Sequence, residues 1–428
     1  MIAWQEVKTL LGKNGMDPGG VDMGTMMQVF SGQMRIGLYG GASTVPMLPT
    51  WLSCTGRPAL NTPVAVVQVR DGQIQTALVT LTEQGPRLEE QEAFPAPGVE
   101  YPAPWEDFIY ALGELLEPIL DQTEIIAVSV PYPVEGNGEG DGTLLSLPGE
   151  MRLSGWEGRL ICADLSAELS QRGVTGKRLA LVNYTGAAQL GGSIFWPGHD
   201  RYYGLTWGEQ VDVSLAAPWS VVLKRPGMGD ALTILDSQVG QFTGVPFGTV
   251  ELTMDRDSHA PGEQLLDKMV SAGTLGDIYR FTMIKAVEDG LMTFKCGRDF
   301  LSLRSLTLDA VNDFLQNPQG RSRPALFCEK EEDRAVAQEV AKGILDRAAK
   351  LICAHLAAVL RLTGGGRNPE TPALIAGEGR VLEVPYLRER LEAHLQQFIG
   401  EELGLHCVLQ TGKQVALVGA AAGALLQP

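Results

Sequence analysis

Apolar residues recur along this chain at two periods, and the switches between them mark its elements. Met26, Val29, Phe30, Met34 and Leu38 fall at helical spacing, and the pattern stops at Gly40-Gly41. An extended segment, Met47–Leu52, follows. Val64–Val69 and Thr76–Leu81 flank Asp71-Gly72, which predicts a β-hairpin with a tight turn. An amphipathic helix is expected over Trp105–Leu120 and a buried strand over Glu124–Val130. Another short strand, Leu179–Val182, runs into Asn183-Tyr184-Thr185. The pattern then restarts, with strands over Tyr202–Thr206 and Val211–Leu215 and a helix-rich stretch over Gly262–Leu291. A long amphipathic helix covers Ala335–Arg361, a strand covers Ala373–Ile375, and a last helix carries Gly419-Ala420-Ala421-Ala422-Gly423, small residues that let backbones pack closely.

Strand pairs followed by helices occur twice, which predicts a duplicated α/β architecture with a cleft between the halves. The length of 428 residues allows two domains, expected over 1–190 and 191–428, with the last helix returning to the first. The net charge of −17, with no block of basic residues, argues against nucleic acid and anionic membrane as partners. The six cysteines are scattered, without CxxC pairs, and read as free buried thiols of a reducing compartment; no metal site is expected. The start of the chain lacks the pattern of a secretory signal, and Val415–Leu426 is too short to span a bilayer, so a cytoplasmic protein is expected. His355 reads as a satisfied core or boundary histidine, and the acidic, glycine-rich stretch Glu135–Asp141 as a solvated loop.

Several stretches resemble the hexokinase family, in order along the chain. Met47-Leu48-Pro49-Thr50-Trp51 is similar to its MLPTF/Y, and Val128-Ser129-Val130-Pro131 to its FSFP. Pro261–Ser271 is similar to PGxQxFEKMVSG, Leu275–Arg280 to LGELVR, Glu288–Leu291 to KEGLL, and Leu181–Thr185 to LVNDT. The resemblance implies the ribonuclease H-like, actin-like ATPase fold: two domains, each on a five-stranded mixed sheet, with sugar bound in the cleft and Mg-ATP mainly against the larger domain. It implies an ATP-dependent hexose 6-phosphotransferase.

The same resemblance places departures where that chemistry resides. In hexokinases the aspartate of LVNDT takes the proton of the sugar 6-hydroxyl, and here that position is Tyr184. A phenol with a pKa of about 10 is protonated at neutral pH and makes a poor base. The first phosphate loop, DLGGTN, falls on Gln68-Val69-Arg70-Asp71-Gly72-Gln73, and the second, LGTGTN, on Trp207-Gly208-Glu209-Gln210-Val211-Asp212. Most of the glycines that let backbone N–H groups approach phosphate are gone, and Glu209 and Asp212 would repel it. Ordinary tightened hairpins are expected at both loops. WTKGF falls near Leu147–Met151, which lacks the threonine and lysine.

The sugar contacts implied by the resemblance are Ser129, Asn183, Thr185, Gln238 (for the glutamate of NMEWG) and Asp267 (for that of FEKM). The degenerate phosphate and nucleotide contacts are Arg70, Gly72, Gly208, Gly377 and Gly379 of the GVDGS-like turn, and Gly412 and Lys413 near the GSGKG-like element. Losing the base and both phosphate loops together points to a catalytically impaired chain or a pseudoenzyme. The competing readings are an active kinase with a relocated base (Asp71, Asp236 or Glu209) and a non-catalytic sugar or nucleotide sensor.

Overall fold

Val64–Val69 reads as an unbroken apolar run because both faces of its strand are covered. Val64 and Val66 pack under the last helix of the chain, whereas Ala65, Val67 and Val69 pack on the opposite face against Trp105, Phe108 and Leu112. Each such valine removes enough apolar surface from water to contribute about 1.5–3 kcal/mol. The computed structural model describes residues 2–148 and 151–427. Gly149 and Glu150, part of the segment aligned with WTKGF, lie outside the described residues.

The main strands are β1 (Leu48–Ser53), β2 (Pro63–Arg70), β3 (Gln73–Thr82), β4 (Gly85–Pro95), β5 (Ile125–Val130), β6 (Arg178–Asn183), β7 (Tyr202–Trp207), β8 (Val211–Pro218), β9 (Leu232–Asp236), β10 (Ala373–Glu378) and β11 (Cys407–Thr411). The helices that position the cleft are α1 (Ile2–Lys13), α2 (Met23–Tyr39), α3 (Trp105–Leu116), α4 (Ile161–Gln171), α5 (Tyr184–Phe195), α6 (Glu331–Thr363) and α7 (Val415–Leu426). The first sheet has the order β6-β5-β2-β3-β4, and the second β11-β10-β7-β8-β9-β1. Three parallel strands followed by antiparallel ones recur in both, which bears out the expected duplication. The second sheet departs from the implied five strands, because β1, the Met47–Leu52 segment, joins it as a sixth by pairing antiparallel with β9.

Sheet membership does not follow chain order. Although they precede the first sheet, α1 and α2 pack against α6 and β1 belongs to the second sheet, so residues 2–53 lie with the second sheet and not with the rest of 1–190. The physical reason is that the apolar stripe of α2 (Met26, Phe30, Met34, Leu38) finds its complement on α6. An Asp22 side-chain cap and a left-handed Gly40 end that helix where the pattern placed its stop. The predicted helix at Trp105–Leu120 ends at Leu116 and continues as a 3₁₀ turn, Glu117–Gln122, where Pro118 enters.

Two helices exchange sides between the sheets. α5 leaves the end of β6 and lies on the second sheet, and α7 follows β11 and lies on the first. They cross at glycine, as the small-residue pattern predicted: a Cβ on Gly419 would sit 1.7 Å from the Ala187 carbonyl oxygen, and one on Gly191 would sit 1.9 Å from that of Val415. The Glu135–Asp141 stretch departs from a purely solvated loop. Gly136 and Gly138 sit under the Trp51 ring, and the Asp141 carboxylate accepts the Cys162 and Ala163 N–H groups at the start of α4 (both 2.9 Å). Six free cysteines are present; Cys162, Cys296, Cys328 and Cys353 are buried, and Cys54 and Cys407 partly so. Among the described residues no helix is long and apolar enough to cross a membrane, and no cluster of three or more metal-ligating side chains occurs.

Candidate functional site

The exchange of α5 and α7 brings the ends of β2, β6, β8, β9 and β10 to one cleft. Its lining includes Arg70, Asp71, Gly72, Tyr184, Gly208, Gln238, Asp267 and Gly379 from the sequence analysis. Other expected residues lie elsewhere. Ser129 is inside the first sheet, its hydroxyl accepting from Gln68 Nε2 (3.4 Å). Thr185 meets Thr206, hydroxyl to hydroxyl, at 2.8 Å. Asn183 lines a smaller cavity behind the cleft, and Lys413, with its side chain 81% exposed, lines an outer groove. Gly377 and Gly412 line neither cleft nor groove.

Both expected hairpins are present. Arg70 pairs with Gln73 across a two-residue turn in which Asp71 and Gly72 are left-handed (φ 47° and 71°), a geometry that favours Asp-Gly. The second hairpin closes through Gly208-Glu209-Gln210, with Gly208 N–H donating to the Gln210 carbonyl (2.9 Å). Their tips touch: a Cβ on Gly208 would stand 2.8 Å from Asp71 Oδ1.

Beside this contact the Arg70 guanidinium donates to Asp71 Oδ2 through Nε (3.1 Å), and through Nη1 to Glu378 Oε1 and to the Lys413 carbonyl (3.1 Å). The other Glu378 oxygen accepts the Ala416 N–H (2.7 Å) in the first turn of α7. Burial pushes the Glu378 carboxyl up to about 7, against the opposing pull of Arg70. Tyr184, the first residue of α5, lines the same cleft as this pair. Burial, and then the Glu378 carboxylate, hold its phenol well above the ordinary range, so it is protonated at neutral pH.

The other end of the cleft holds a buried carboxyl–amide cluster. Gln238, left-handed at φ 54°, donates through Nε2 to Asp212 Oδ2 and Asp236 Oδ2 (both 2.8 Å), and Asn183 Nδ2 donates to Asp236 Oδ2 (2.6 Å). Asp212 also accepts from Val213 N–H (2.7 Å) and the Ser237 hydroxyl (2.9 Å), and Asp267 accepts from Val211 N–H (2.7 Å). Burial, and then the neighbouring Asp236, raise the Asp212 carboxyl well above the carboxylate range. The sequence reading gave Asp212 to phosphate repulsion; in the structure its side chain turns into this cluster. Glu378 was missed as a site residue, and its only signal was its place in the GVDGS-like turn.

Mg-ATP does not fit the residues present. Between the hairpin tips the Asp71 carboxylate leaves no room even for a Cβ on Gly208, and the Arg70 cation is held by two carboxylates. The three carboxylates weighed as relocated bases are engaged as well: Asp71 with Arg70, Asp236 with Asn183 and Gln238, and Glu209 with Arg380 Nη1 (2.9 Å).

The paired mixed sheets and the cleft between them define a two-domain actin-like sugar-kinase fold, and comparisons with known proteins agree. A hexokinase from Schistosoma mansoni complexed with glucose superposes with a TM-score of 0.84 over 99% of both chains at 19% identity. Residues 229–426 match the family model for hexokinase. Hexokinase-1 of Schizosaccharomyces pombe is 24% identical over 92% of this chain and 85% of its own length. A hexokinase-like 1 protein of Arabidopsis thaliana is 25% identical over 68% of this chain, which spans 62% of that relative. The chain is thus similar to hexokinases in fold over its whole length and in sequence over most of it.

Proposed function

We propose that this hexokinase-like protein does not transfer phosphate in its cleft and serves as a pseudoenzyme. The observation that carries this reading is the Arg70–Glu378–Ala416 contact beside the touching hairpin tips, which fills the phosphate end of the cleft with the protein's own groups. In-line phosphoryl transfer depends on positioning and on neutralising charge at the phosphates. Here the base position carries a protonated phenol, and the cation beside it is already neutralised. Free thiols fit a reducing compartment, which we take to be the cytoplasm, and the two expected halves remain our division apart from residues 2–53. The test is ADP release with Mg-ATP over a panel of hexoses. No turnover is expected, and turnover abolished by replacing Asp236 or Asp267 would overturn the reading.

One observation favours a ligand-sensing variant of this reading. The Asp212–Asp236–Gln238–Asn183 cluster keeps polar groups at the sugar end of the cleft, suited to a neutral polyol. Thermal-shift measurements with sugars, without nucleotide, test it: a saturable rise in Tm supports sensing, and a flat response excludes it.

A further inference from the structure

Two of the six thiols lie against each other. Cys296 Sγ and Cys328 Sγ are 3.6 Å apart and share a hydrogen bond, although 32 positions separate them in the chain. Cys296 sits in the helix Phe294–Leu301, and Cys328 ends the five-residue helix Arg323–Phe327. Both belong to a run of short helices that lies outside the two sheets. The surface is close by: Leu326, two residues before Cys328, is 56% exposed.

Two polar groups beside the thiols have unused hydrogen-bonding capacity. The Tyr279 hydroxyl is buried and has no partner among the described residues. Burial, and then the neighbouring Cys328 and Cys296, hold its pKa well above the ordinary range. Arg334 donates from Nη2 to the carbonyls of Cys328 (3.1 Å) and Glu329 (3.3 Å), while its Nε is buried without a partner among the described residues. An unpaired buried donor is costly, and an oxygen added to the adjacent sulfur would give it an acceptor.

The bond to Cys296, and then burial, raise the Cys328 pKa, so the resting form is the thiol; the Arg334 guanidinium pulls the other way. Reaction therefore requires the short helix Arg323–Phe327 to open locally, a low-cost motion for an element with so few backbone bonds.

We propose that Cys296 and Cys328 are a redox-active pair, which a hydroperoxide converts into a disulfide that staples the helices Phe294–Leu301 and Arg323–Phe327 together. With hydrogen peroxide, the O–O bond breaks as the Cys328 sulfur takes one oxygen, leaving a sulfenic acid and a water. The Cys296 sulfur then attacks the Cys328 sulfur: the S–S bond forms, the S–O bond breaks, and the departing hydroxide takes the Cys296 proton as a second water. Two thiols are oxidised and one peroxide is reduced. The resting dithiol fits a reducing compartment, and a small dithiol reductant reverses the step. The pair is remote in sequence from the cleft residues, so the proposal stands apart from the pseudoenzyme reading.

Treating the full chain with hydrogen peroxide, then denaturing, alkylating and mapping its peptides without reduction, tests it. A peptide linking Cys296 to Cys328 is expected, with two of the six alkylatable thiols lost and both recovered by dithiothreitol. Cys328→Ser should yield no linked peptide and leave Cys296 alkylatable; Cys296→Ala gives the converse and serves if the serine variant does not fold. Recovery of both cysteines unlinked from the wild type would overturn the proposal. So would linkage of either one to Cys353 or Cys407 in place of its neighbour.

Discussion

Arg70, at the end of a strand in one sheet, holds the carboxylate of Glu378, at the end of a strand in the other. The two residues are 308 positions apart, and their contact joins the lobes where the hairpin tips meet. Replacing Arg70 with alanine leaves the carboxyl buried with the α7 amides alone, so its pKa rises further. Because the wild-type carboxyl already titrates at about 7, the variant's extra penalty is absent below about pH 7 and grows as pH rises past it. Arg70→Ala should therefore destabilise the protein by on the order of 2–4 kcal/mol at pH 8, and by less at pH 6. Urea unfolding at both values checks this, and an equal loss at the two would refute it.

The α5–α7 crossing should tolerate almost no added volume. At Gly419 the new methyl would meet the Ala187 carbonyl at 1.7 Å and the Gly191 nitrogen at 2.6 Å, both backbone atoms. Overpacking usually costs about 1–3 kcal/mol, and here the helices themselves must separate, so Gly419→Ala should cost more than about 3 kcal/mol. Gly12 in α1 is the control, since nothing lies within 4 Å of its added Cβ. Gly12→Ala should stabilise by up to about 1 kcal/mol. Denaturant midpoints of the two variants give the comparison.

How far the sequence spoke depends on whether a signal is local. The β2–β3 hairpin was legible because Asp71-Gly72 and the flanking apolar runs sit within twenty residues. Strand β4 was missed because Arg87, Glu89 and Glu92 face solvent along a sheet edge and break any alternation. Helix α5 was missed because it is buried on nearly all sides between the two sheets, so its sequence lacks a polar stripe. In the site, Tyr184, Gln238 and Asp267 could be placed by motif. The partnership of Arg70 with Glu378, and the turn of Asp212 toward Asp236, arise only from tertiary packing.

His355 departs from its expected reading in a way that sets a pH dependence. It is fully buried in α6, edge-on to Phe30 (5.0 Å between ring centroids), and neither ring nitrogen has a hydrogen-bond partner among the described residues. Burial lowers its pKa from near 6.5 to about 3. The unfolded chain therefore binds a proton that the folded one refuses. Stability is intact above about pH 6.5 and is lost as pH falls toward 3. At pH 5 this amounts to about 2 kcal/mol. His355→Leu should remove that part of the acid sensitivity, so the wild type should lose about 2 kcal/mol more than the variant between pH 8 and pH 5. Parallel acid-side slopes for the two proteins would show that the histidine titrates normally.

Tyr184→Asp restores the one residue whose absence is most visible, and it should not restore a kinase. An aspartate at the start of α5 would stand beside Asp71 and Glu378, with Arg70 as the nearest cation already shared between those two. The added carboxylate would repel both, raise its own pKa and weaken its service as a base. It would also leave Asp71 against Gly208, where the phosphates need room. ADP release from Mg-ATP and glucose should stay at background for the single variant. If Tyr184→Asp alone supports sustained turnover, the phosphate end of the cleft opens far more readily than the Arg70–Glu378 contact implies. The Arg70–Glu378 contact would then not close the phosphate end of the cleft, and the observation that carries the pseudoenzyme reading would fall.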